Sequence, residues 1–284
     1  MLQAEPKPIS DEELAKFYEF FYRKTGIMFS DNKRYFVERR LQDRIVATGS
    51  ADFRAYFSSI RFQNSVNEIE CLINSMTVNE TYFFREDYQF TALVDGICPD
   101  IAENKKPGDA IRIWSIPCST GEEPYSIAIY LLDRWSRADE FDIEILASDI
   151  DTRVLASARA GIYGERSLQK LSNSEKERYF TFLRQDQYQI RDEIRESIDF
   201  SPINVMDPKQ IQNYRNIDVI FCRNLLIYFD DISRRQAVEA MYECLVPGGF
   251  ICLGHSESMS RMSSLFHPRK FSETIVYQKD VSSR

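Results

Sequence analysis

Residues 111–125 read IRIWSIPCSTGEEPY, and this stretch decides the fold. Its first six residues alternate between apolar and polar side chains, which is typical of a β-strand, and a helix is predicted to begin near Glu122. In open α/β sheets, ligands bind beyond the carboxyl ends of the strands, near the point where strand order reverses. Residues 117–125 are therefore predicted to lie at a ligand-binding edge of the sheet.

The alternation of strand and helix continues towards the C-terminus. Further strands are predicted at residues 141–147, 217–222, 250–254 and 274–278, and further helices at residues 122–135, 152–160 and after 233. The segment 217–222 is continuously apolar, which is typical of a strand buried on both faces. The pattern predicts a doubly wound, Rossmann-like α/β domain with a mainly parallel sheet, closed at one edge by residues 274–278.

Two parts of the chain depart from this alternation. Residues 1–90 are predicted to form an N-terminal helical domain and linker, because the capping box Ser10–Glu13 precedes apolar residues at helical spacing. The α/β domain then covers residues 91–284. Residues 162–200 are polar, with short alternating pieces at 188–191 and 194–200, and are predicted to form a small inserted antiparallel β-subdomain.

The composition excludes several classes of protein. A net charge of −8 argues against general nucleic-acid binding, which needs a basic surface. The chain has two histidines, and none of its six cysteines forms a Cys-x-x-Cys pair, so we expect no metal site and reduced, buried thiols. The first residues, MLQAEPKPIS, lack the apolar core of a signal peptide, and no apolar run is long enough to span a bilayer. We therefore expect a cytoplasmic protein.

The chemistry of the predicted site favours a cationic ligand. The first loop has no G-x-G-x-x-G, and the Glu122-Glu123 pair would repel a phosphate. Ser119 and Glu122 also have the spacing of a capping box, so part of this loop has a structural alternative.

The ends of two other strands carry polar residues. An acid at the place of Asp149 commonly binds ribose hydroxyls in Rossmann-like sites. Asp151 is better explained as the cap of the next helix. Arg223 and Asn224 leave the end of the apolar strand and are predicted to lie at the same edge of the sheet.

Five segments, taken in order, carry a family resemblance. They are MTVNETYFFRE (76–86), WSIPCSTGEEPYSIA (114–128), ASDID (147–151), FCRNLLIYF (221–229) and PGGFICLGHSES (247–258). Together they resemble the chemoreceptor methyltransferase family, CheR, over nearly the whole chain. The resemblance implies a class I S-adenosylmethionine-dependent methyltransferase domain with an N-terminal helical domain and a small inserted β-subdomain. It also implies methyl transfer to glutamate side chains of bacterial chemotaxis receptors, with S-adenosylhomocysteine as the second product.

The resemblance also assigns roles to residues. The positions that would contact the cofactor are Asn79, Thr81, Arg85, Glu123, Asp149, Asn204, Val205, Arg223 and Asn224. Glu123 is preferred to Glu122 by alignment alone. Tyr228 would lie near the transferred methyl group and help to position the acceptor carboxylate, which either Arg85 or Arg223 would orient. Arg85 and Tyr228 are taken as the catalytic residues.

A basic segment suggests the partner. Residues 33–44, KRYFVERRLQDR, hold five basic and two acidic residues in an acidic protein. The resemblance implies that this helix meets the cytoplasmic methylation helices of the receptor, through Arg40 and Arg44. Some members of the family that this chain resembles use the inserted subdomain to grip a short peptide at the receptor C-terminus. The segment 181–199 looks shorter than in those members and lacks their Gly-rich turn, so we expect no dependence on a receptor C-terminal pentapeptide. We also expect a monomer that neither binds nucleic acid nor inserts into a membrane.

Two other functions are compatible with the fold. A nicotinamide-dependent oxidoreductase would need the glycines that the first loop lacks. A non-catalytic module that senses S-adenosylmethionine would keep the fold and lose the transfer reaction. NADH fluorescence and radiolabelled methyl transfer, respectively, would separate these two from a methyltransferase.

Overall fold

The computed structural model describes residues 8–62, 66–271 and 273–281. By its internal contacts the chain divides into two units, Met1–Val78 with Tyr228–Asp230, and Asn79–Ile227 with Asp231–Arg284. The domain boundary after residue 90 stays a prediction.

The first unit is built on helices: α1 (Asp11–Thr25), α2 (Arg34–Ala47), α3 (Phe53–Phe62) and α4 (Val66–Met76). The predicted capping box is present: the Ser10 hydroxyl accepts the Glu13 N–H, and the Glu13 carboxylate accepts the Ser10 N–H. Gly26, with φ of 73°, ends α1 in the left-handed conformation that glycine adopts without strain. The inward faces of the helices form one apolar core around Phe17, Leu41 and Tyr56.

The second unit alternates helices and strands. In chain order these are α5 (Asp87–Ala92), α6 (Cys98–Ala102), β1 (Ala110–Ser115), α7 (Glu122–Arg134), β2 (Asp142–Asp149), α8 (Thr152–Ala160), β3 (Ile162–Gly164), α9 (Asn173–Tyr179), β4 (Phe180–Phe182), β5 (Gln187–Ile190), α10 (Asp192–Arg195), β6 (Ile198–Pro202), α11 (Pro208–Ile211), β7 (Ile217–Cys222), α12 (Asp231–Cys244), β8 (Leu245–Leu253), β9 (Phe266–Phe271) and β10 (Thr274–Lys279).

The main sheet has the order β6-β2-β1-β7-β8-β10-β9. Strands β6, β2, β1, β7 and β8 are parallel, whereas β10 and β9 run antiparallel to their neighbours. The predicted doubly wound α/β fold is confirmed. The chain builds outwards from β1 to β2 and β6, then returns to place β7 on the other side of β1, so strand order reverses between β1 and β7. That reversal is where a doubly wound sheet binds its ligand.

The inserted subdomain is confirmed, with different limits. Its antiparallel sheet has the order β3-β5-β4 and ends at Ile190. The alternating piece at 194–200 does not belong to the inserted sheet: Ile194 lies in α10, and Ile198–Pro202 forms a strand of the main sheet beside β2. Alternation predicts a strand but cannot say which sheet the strand joins.

The edge of the main sheet also differs from the prediction. The segment predicted to close the sheet, at 274–278, lies inside it, between β8 and β9. Strand β9 forms the edge, with the sequence FHPRKF. Proline and charged residues hide a strand from pattern analysis, yet they are the residues that edge strands tolerate.

All six cysteines are free thiols; five are buried and Cys71 is exposed. Among the described residues, no helix has both the length and the apolar character needed to cross a membrane. Nor do the described residues bring together three or more His, Cys, Asp or Glu side chains able to hold a metal ion.

Candidate functional site

The loop after β1 is shaped by its glycine. Gly121 has φ of 95°, and a Cβ there would come within 3.0 Å of both Ala158 Cβ and Tyr163 Oη. Gly121 precedes α7 without any side-chain cap, so the capping box proposed for Ser119 and Glu122 is wrong. Ser119 instead has φ of 49° and donates its N–H to Asp149 Oδ2 at 2.9 Å. The loop is thereby fixed to the end of the neighbouring strand β2.

The two consecutive acids of α7 point to different neighbours. Glu122 accepts hydrogen bonds from Thr120 Oγ1 at 2.6 Å and from Ser167 Oγ, in the inserted segment, at 2.9 Å. Glu123 accepts from Ser115 Oγ at 2.8 Å and from Arg223 Nη1 at 2.9 Å. Burial raises the pKa of both carboxyl groups. Only Glu123 therefore belongs with Arg223 at the point where strand order reverses.

Arg223 is the centre of a buried charged group. It is 4% exposed, and its guanidinium lies 2.9 Å from Glu123 and 3.2 Å from Glu86. Burial by itself lowers the pKa of Arg223, but the two carboxylates outweigh it and the pKa is raised. The group holds two carboxyl groups against one guanidinium, and this excess of acidic side chains favours a cationic ligand.

The sequence did not predict a role for Glu86, although this residue ends the segment 76–86. Its left-handed backbone, with φ of 56°, precedes α5, and His255 Nδ1 lies 2.7 Å from its other carboxylate oxygen. Burial raises the pKa of Glu86, but Arg223 and His255 together more than offset this and the pKa is lowered. Its two partners at the site, Arg223 and His255, lie more than 130 positions away in sequence, and no local pattern could have indicated them.

The end of β2 carries a second buried acid. Asp149 is 3% exposed and accepts the N–H groups of Ser119 and Asp151, each at 2.9 Å. Burial raises its pKa to about 6. Asp151 caps α8 by accepting the Arg153 N–H, as the preferred alternative predicted. Asn79 also reaches this strand end, donating from Nδ2 to Asp151 Oδ2 at 3.1 Å.

The segment after β6 lies beside Asp149, because Ile203 N–H bonds to the Asp149 carbonyl at 3.0 Å. Asn204 Oδ1 accepts the Met206 N–H at 3.0 Å, and the Asn204 N–H donates to Gln210 Oε1 at 2.8 Å. The next residue, Val205, is buried. The structure thus places Asn204 and Val205 at the same edge of the sheet as Asp149.

Comparison with known proteins identifies the family of this chain. Residues 79–275 match the model described as CheR methyltransferase, SAM binding domain, and residues 12–77 match CheR methyltransferase, all-alpha domain. The chain belongs to the CheR methyltransferase family. It is therefore an S-adenosylmethionine-dependent methyltransferase, and the resemblance seen in its sequence is confirmed.

Relatives of the CheR family align along most of the chain. Chemotaxis protein methyltransferase 2 of Vibrio cholerae is 51% identical over 95% of this chain and 94% of its own length. The chemotaxis protein methyltransferase of Escherichia coli is 35% identical, over 91% of this chain and 88% of the relative. That of Salmonella typhimurium is 36% identical, over 92% and 88% respectively.

The residues present fit S-adenosylmethionine, whose sulfonium and amino groups are positive. The edge of the CheR sheet offers carboxylates and amides as acceptors, and the loop at Gly121 has room for no side chain of its own. A hydroxyl, Ser119 Oγ, is buried without a hydrogen-bond partner among the described residues. Asn224 lies beside Arg223 in the left-handed conformation, with φ of 59°.

Three predicted residues are less closely tied to this group. The Arg85 carbonyl accepts from Arg223 Nη2 at 2.5 Å, whereas its guanidinium donates to the Glu80 carbonyl at 2.9 Å. Thr81 is partly exposed. Tyr228 is grouped with the first unit, where its carbonyl accepts the Met28 N–H at 3.0 Å. Their catalytic and cofactor roles stay predictions.

The two arginines predicted to meet the receptor differ from each other. Arg44 forms a two-bond ion pair with Glu68, at 2.9 and 2.5 Å, and Tyr56 Oη donates to the same carboxylate at 2.9 Å. The Arg40 guanidinium lies over the Phe36 ring, 5.1 Å from its centroid, with Asp43 at 4.0 Å. Arg40 therefore has far more freedom than Arg44 to meet a partner.

Proposed function

We propose that this methyltransferase acts on glutamate side chains of chemotaxis receptors, forming glutamyl methyl esters and S-adenosylhomocysteine. The observation that carries the proposal is the buried group of Glu86, Arg223 and Glu123 where strand order reverses, in a chain closely similar to chemotaxis methyltransferases. Its excess of acidic side chains suits a cationic methyl donor, and the reaction it would serve needs no metal.

Each cofactor residue then has a physical role. The Asp149 carboxylate would accept hydrogen bonds from ribose hydroxyls, as an acid at this strand end does in related folds. Asn204 and Val205 would flank the adenine. Asn79 and Thr81 enter from the segment before α5, while Arg85 and Asn224 lie beside the buried group. Glu123 is supported over Glu122 because Glu122 is directed to Ser167.

The chemistry requires positioning more than acid–base catalysis. S-adenosylmethionine supplies, when bound, a methyl group on a positively charged sulfur. A glutamate carboxylate, with a pKa of ~4.3, is already ionised at neutral pH, so its oxygen attacks the methyl carbon without a general base. One C–O bond forms while the C–S bond breaks and its electron pair stays on sulfur. The negative charge of the carboxylate and the positive charge of the sulfur are both neutralised in the reaction, and a site that excludes water favours this loss of charge. The protein contributes by aligning the carboxylate oxygen with the methyl carbon. Arg85 would orient the carboxylate, and Tyr228 would help to position it.

The partner is proposed from the surface of α2. Arg40 is the better candidate for meeting an acidic receptor helix, because Arg44 is already bound to Glu68. We propose a cytoplasmic monomer that recognises the receptor's methylation helices electrostatically and does not bind nucleic acid. Such docking weakens with salt.

The inserted sheet supports independence from a receptor-tail pentapeptide. The β4–β5 turn contains no glycine, and Gln185 and Asp186 take its left-handed positions, with φ of 52° and 57°. Isothermal titration of a free receptor-tail pentapeptide is expected to show no binding. Measurable binding would overturn this part of the proposal.

Radiolabelled methyl transfer tests the function directly. With receptor-containing membranes, label is expected on the receptor and released by base as methanol, since methyl esters hydrolyse readily. Receptors whose methylated glutamates are replaced by alanine are the matched control and should take up none. Cofactor binding without any transfer would indicate a sensor instead of an enzyme. Unchanged turnover in both Arg85→Ala and Tyr228→Phe would remove those two catalytic roles.

A further inference from the structure

One carboxylate holds the loop that follows β7. Glu257 Oε2 accepts N–H bonds from Asn224 at 2.9 Å and from Gly254 at 2.8 Å. Its other oxygen accepts from Leu226 at 2.8 Å and from Ile227 at 3.3 Å. A carboxylate has about four lone-pair directions, and here each meets a main-chain donor. Three of the four donors belong to the loop that carries Arg223 and Asn224.

The arrangement follows from the sheet. Strands β7 and β8 are parallel neighbours, so the turns that follow them lie side by side at the ligand-binding edge. At Gly254 a Cβ would lie 2.9 Å from Glu257 Oε2 and 3.1 Å from both the main-chain nitrogen and Nδ2 of Asn224. The lack of a side chain at Gly254 is what lets the two turns approach.

The same turn also reaches the buried charged group. His255, two residues before Glu257, lies 2.7 Å from Glu86, which in turn lies 3.2 Å from Arg223. The turn after β8 therefore acts on Arg223 and Asn224 in two ways. Glu257 accepts the main-chain N–H of Asn224, and His255 contacts Glu86, which pairs with the Arg223 guanidinium. Both contacts bear on residues proposed to hold the cofactor.

We infer that Glu257 is a positioning residue for methyl transfer, which holds the loop of residues 223–227 in the shape that binds the cofactor. The inference rests on the proposed function for the acceptor, but not for the cofactor. Bonds from N–H groups to a charged acceptor are stronger than neutral ones and fix direction as well as distance. Asn224 is a left-handed residue in this loop, and losing its N–H bond to Glu257 frees it to leave that strained conformation.

The test variant is Glu257→Gln, which keeps the side-chain length but replaces one acceptor oxygen with an NH₂ group. That group faces main-chain N–H donors, so two of the contacts become repulsive. The dissociation constant of S-adenosylhomocysteine, measured by isothermal titration, is expected to rise about 10-fold or more. Single-turnover methyl transfer at saturating cofactor and receptor is expected to slow by a similar factor. The KM for receptor should stay unchanged. Glu239→Gln, an exposed acid on α12, is the matched control.

The outcomes separate positioning from simple support of the fold. If Glu257 only stabilised the fold, its substitution would lower the melting temperature. The dissociation constant and the single-turnover rate of the folded variant would then both stay within twofold of the wild type. That result would overturn the inference, as would equal losses in Glu239→Gln. If Glu257→Gln does not fold, Glu257→Asp is measured instead, and wild-type affinity in that variant would likewise overturn it. The titration needs no receptor, so a wild type that binds cofactor without methylating receptors refutes the proposed function alone.

Discussion

The buried arginine of the α/β unit and the basic helix of the first unit show two uses of the same side chain. The Arg223 side chain is 2% exposed and contacts two carboxylates, whereas the Arg40 side chain is 40% exposed and lies 4.0 Å from the Asp43 carboxylate. Arg44 lies between these extremes, 23% exposed and bound to Glu68. An arginine held by buried acids sets the shape of a site, and one left on the surface remains available to a partner. The degree of burial also decides how much a substitution changes stability.

Removing Arg223 is expected to have the largest effect. Arg223→Met would leave Glu86 and Glu123 buried without their counter-charge, which costs about 3–5 kcal/mol in comparable cases. Urea unfolding measures the loss, and cofactor binding should disappear with it. Arg137→Met, which breaks a surface pair with Glu140, is the control and should leave stability unchanged. A loss in Arg223→Met as small as in the control would contradict a buried cluster.

Lowering the pH is expected to weaken cofactor binding through Asp149. Its pKa of about 6 in the free protein means that most of it is protonated at pH 5 and ionised at pH 7. Ribose hydroxyls donate best to the ionised form, so affinity should fall about 10-fold between pH 7 and pH 5. Titration calorimetry across this range measures the change. The Asp149→Asn variant should bind the cofactor more weakly than the wild type at pH 7, and its affinity should not vary with pH. A profile in Asp149→Asn as steep as in the wild type would assign the titration to another group.

The contribution of Asp149 to the stability of the unliganded protein should change in the opposite direction: it should increase as the pH is lowered. Because the folded pKa of Asp149 lies above the ordinary value of 3.8, the folded state binds more protons between those two values. Its contribution to the free energy of unfolding is therefore fully present below about pH 4 and is lost as pH rises through about 6. The difference between wild type and Asp149→Asn in urea unfolding isolates this contribution from other titrating groups.

The contrast between the two regions also explains what the sequence could predict. Strand–helix alternation and strand ends predicted the α/β fold and the positions of Asp149, Arg223 and Asn224, because these depend on local pattern and on a general rule for open sheets. Local pattern could not decide between Glu122 and Glu123, since the choice depends on how Gly121 turns the chain into α7.

Two residues of the site, Glu86 and Glu257, could not be predicted from local pattern. Glu86 and Glu257 carry no signal of their own, because their bonds to Arg223 and to the loop after β7 exist only once the strands are assembled. Strand β9 was missed because Pro268 and its basic neighbours interrupt any apolar alternation. For α2, composition predicted a basic surface but not that Arg44 is committed to Glu68.

A double-mutant cycle of Arg44 and Glu68 should measure the energy of the ion pair between them. Arg44→Ala, Glu68→Ala and the double variant are expected to give a coupling of about 1 kcal/mol, since the pair is two-bonded and partly buried. Urea unfolding of the four proteins provides the measurement. A coupling near zero would place Arg44 with Arg40, as a surface arginine available to a receptor.

Charge reversal at Arg40 should have the smallest effect on the protein and a selective effect on its partner. Arg40→Glu is expected to lower kcat/KM for receptor-containing membranes about 5-fold at low salt, because steering between opposite charges is lost. The deficit should shrink as salt is raised towards 0.5 M, where the screening length is only about 4–5 Å. Cofactor affinity and melting temperature should not change, because within the described part of the chain the Arg40 guanidinium contacts only the Phe36 ring and, at 4.0 Å, Asp43.

The matched control separates docking by α2 from the effect of net charge alone. Arg23→Glu changes the charge of the first unit by the same amount, at a position on α1 whose side chain is 75% exposed. If α2 is the docking surface, Arg23→Glu should retain nearly full kcat/KM at every salt concentration. Equal, salt-dependent losses in both variants would mean that the receptor responds only to overall charge, and a salt-independent loss in Arg40→Glu would mean that its contact is not electrostatic. Either result would remove α2 from the proposed receptor interface while leaving the strand-end site untouched.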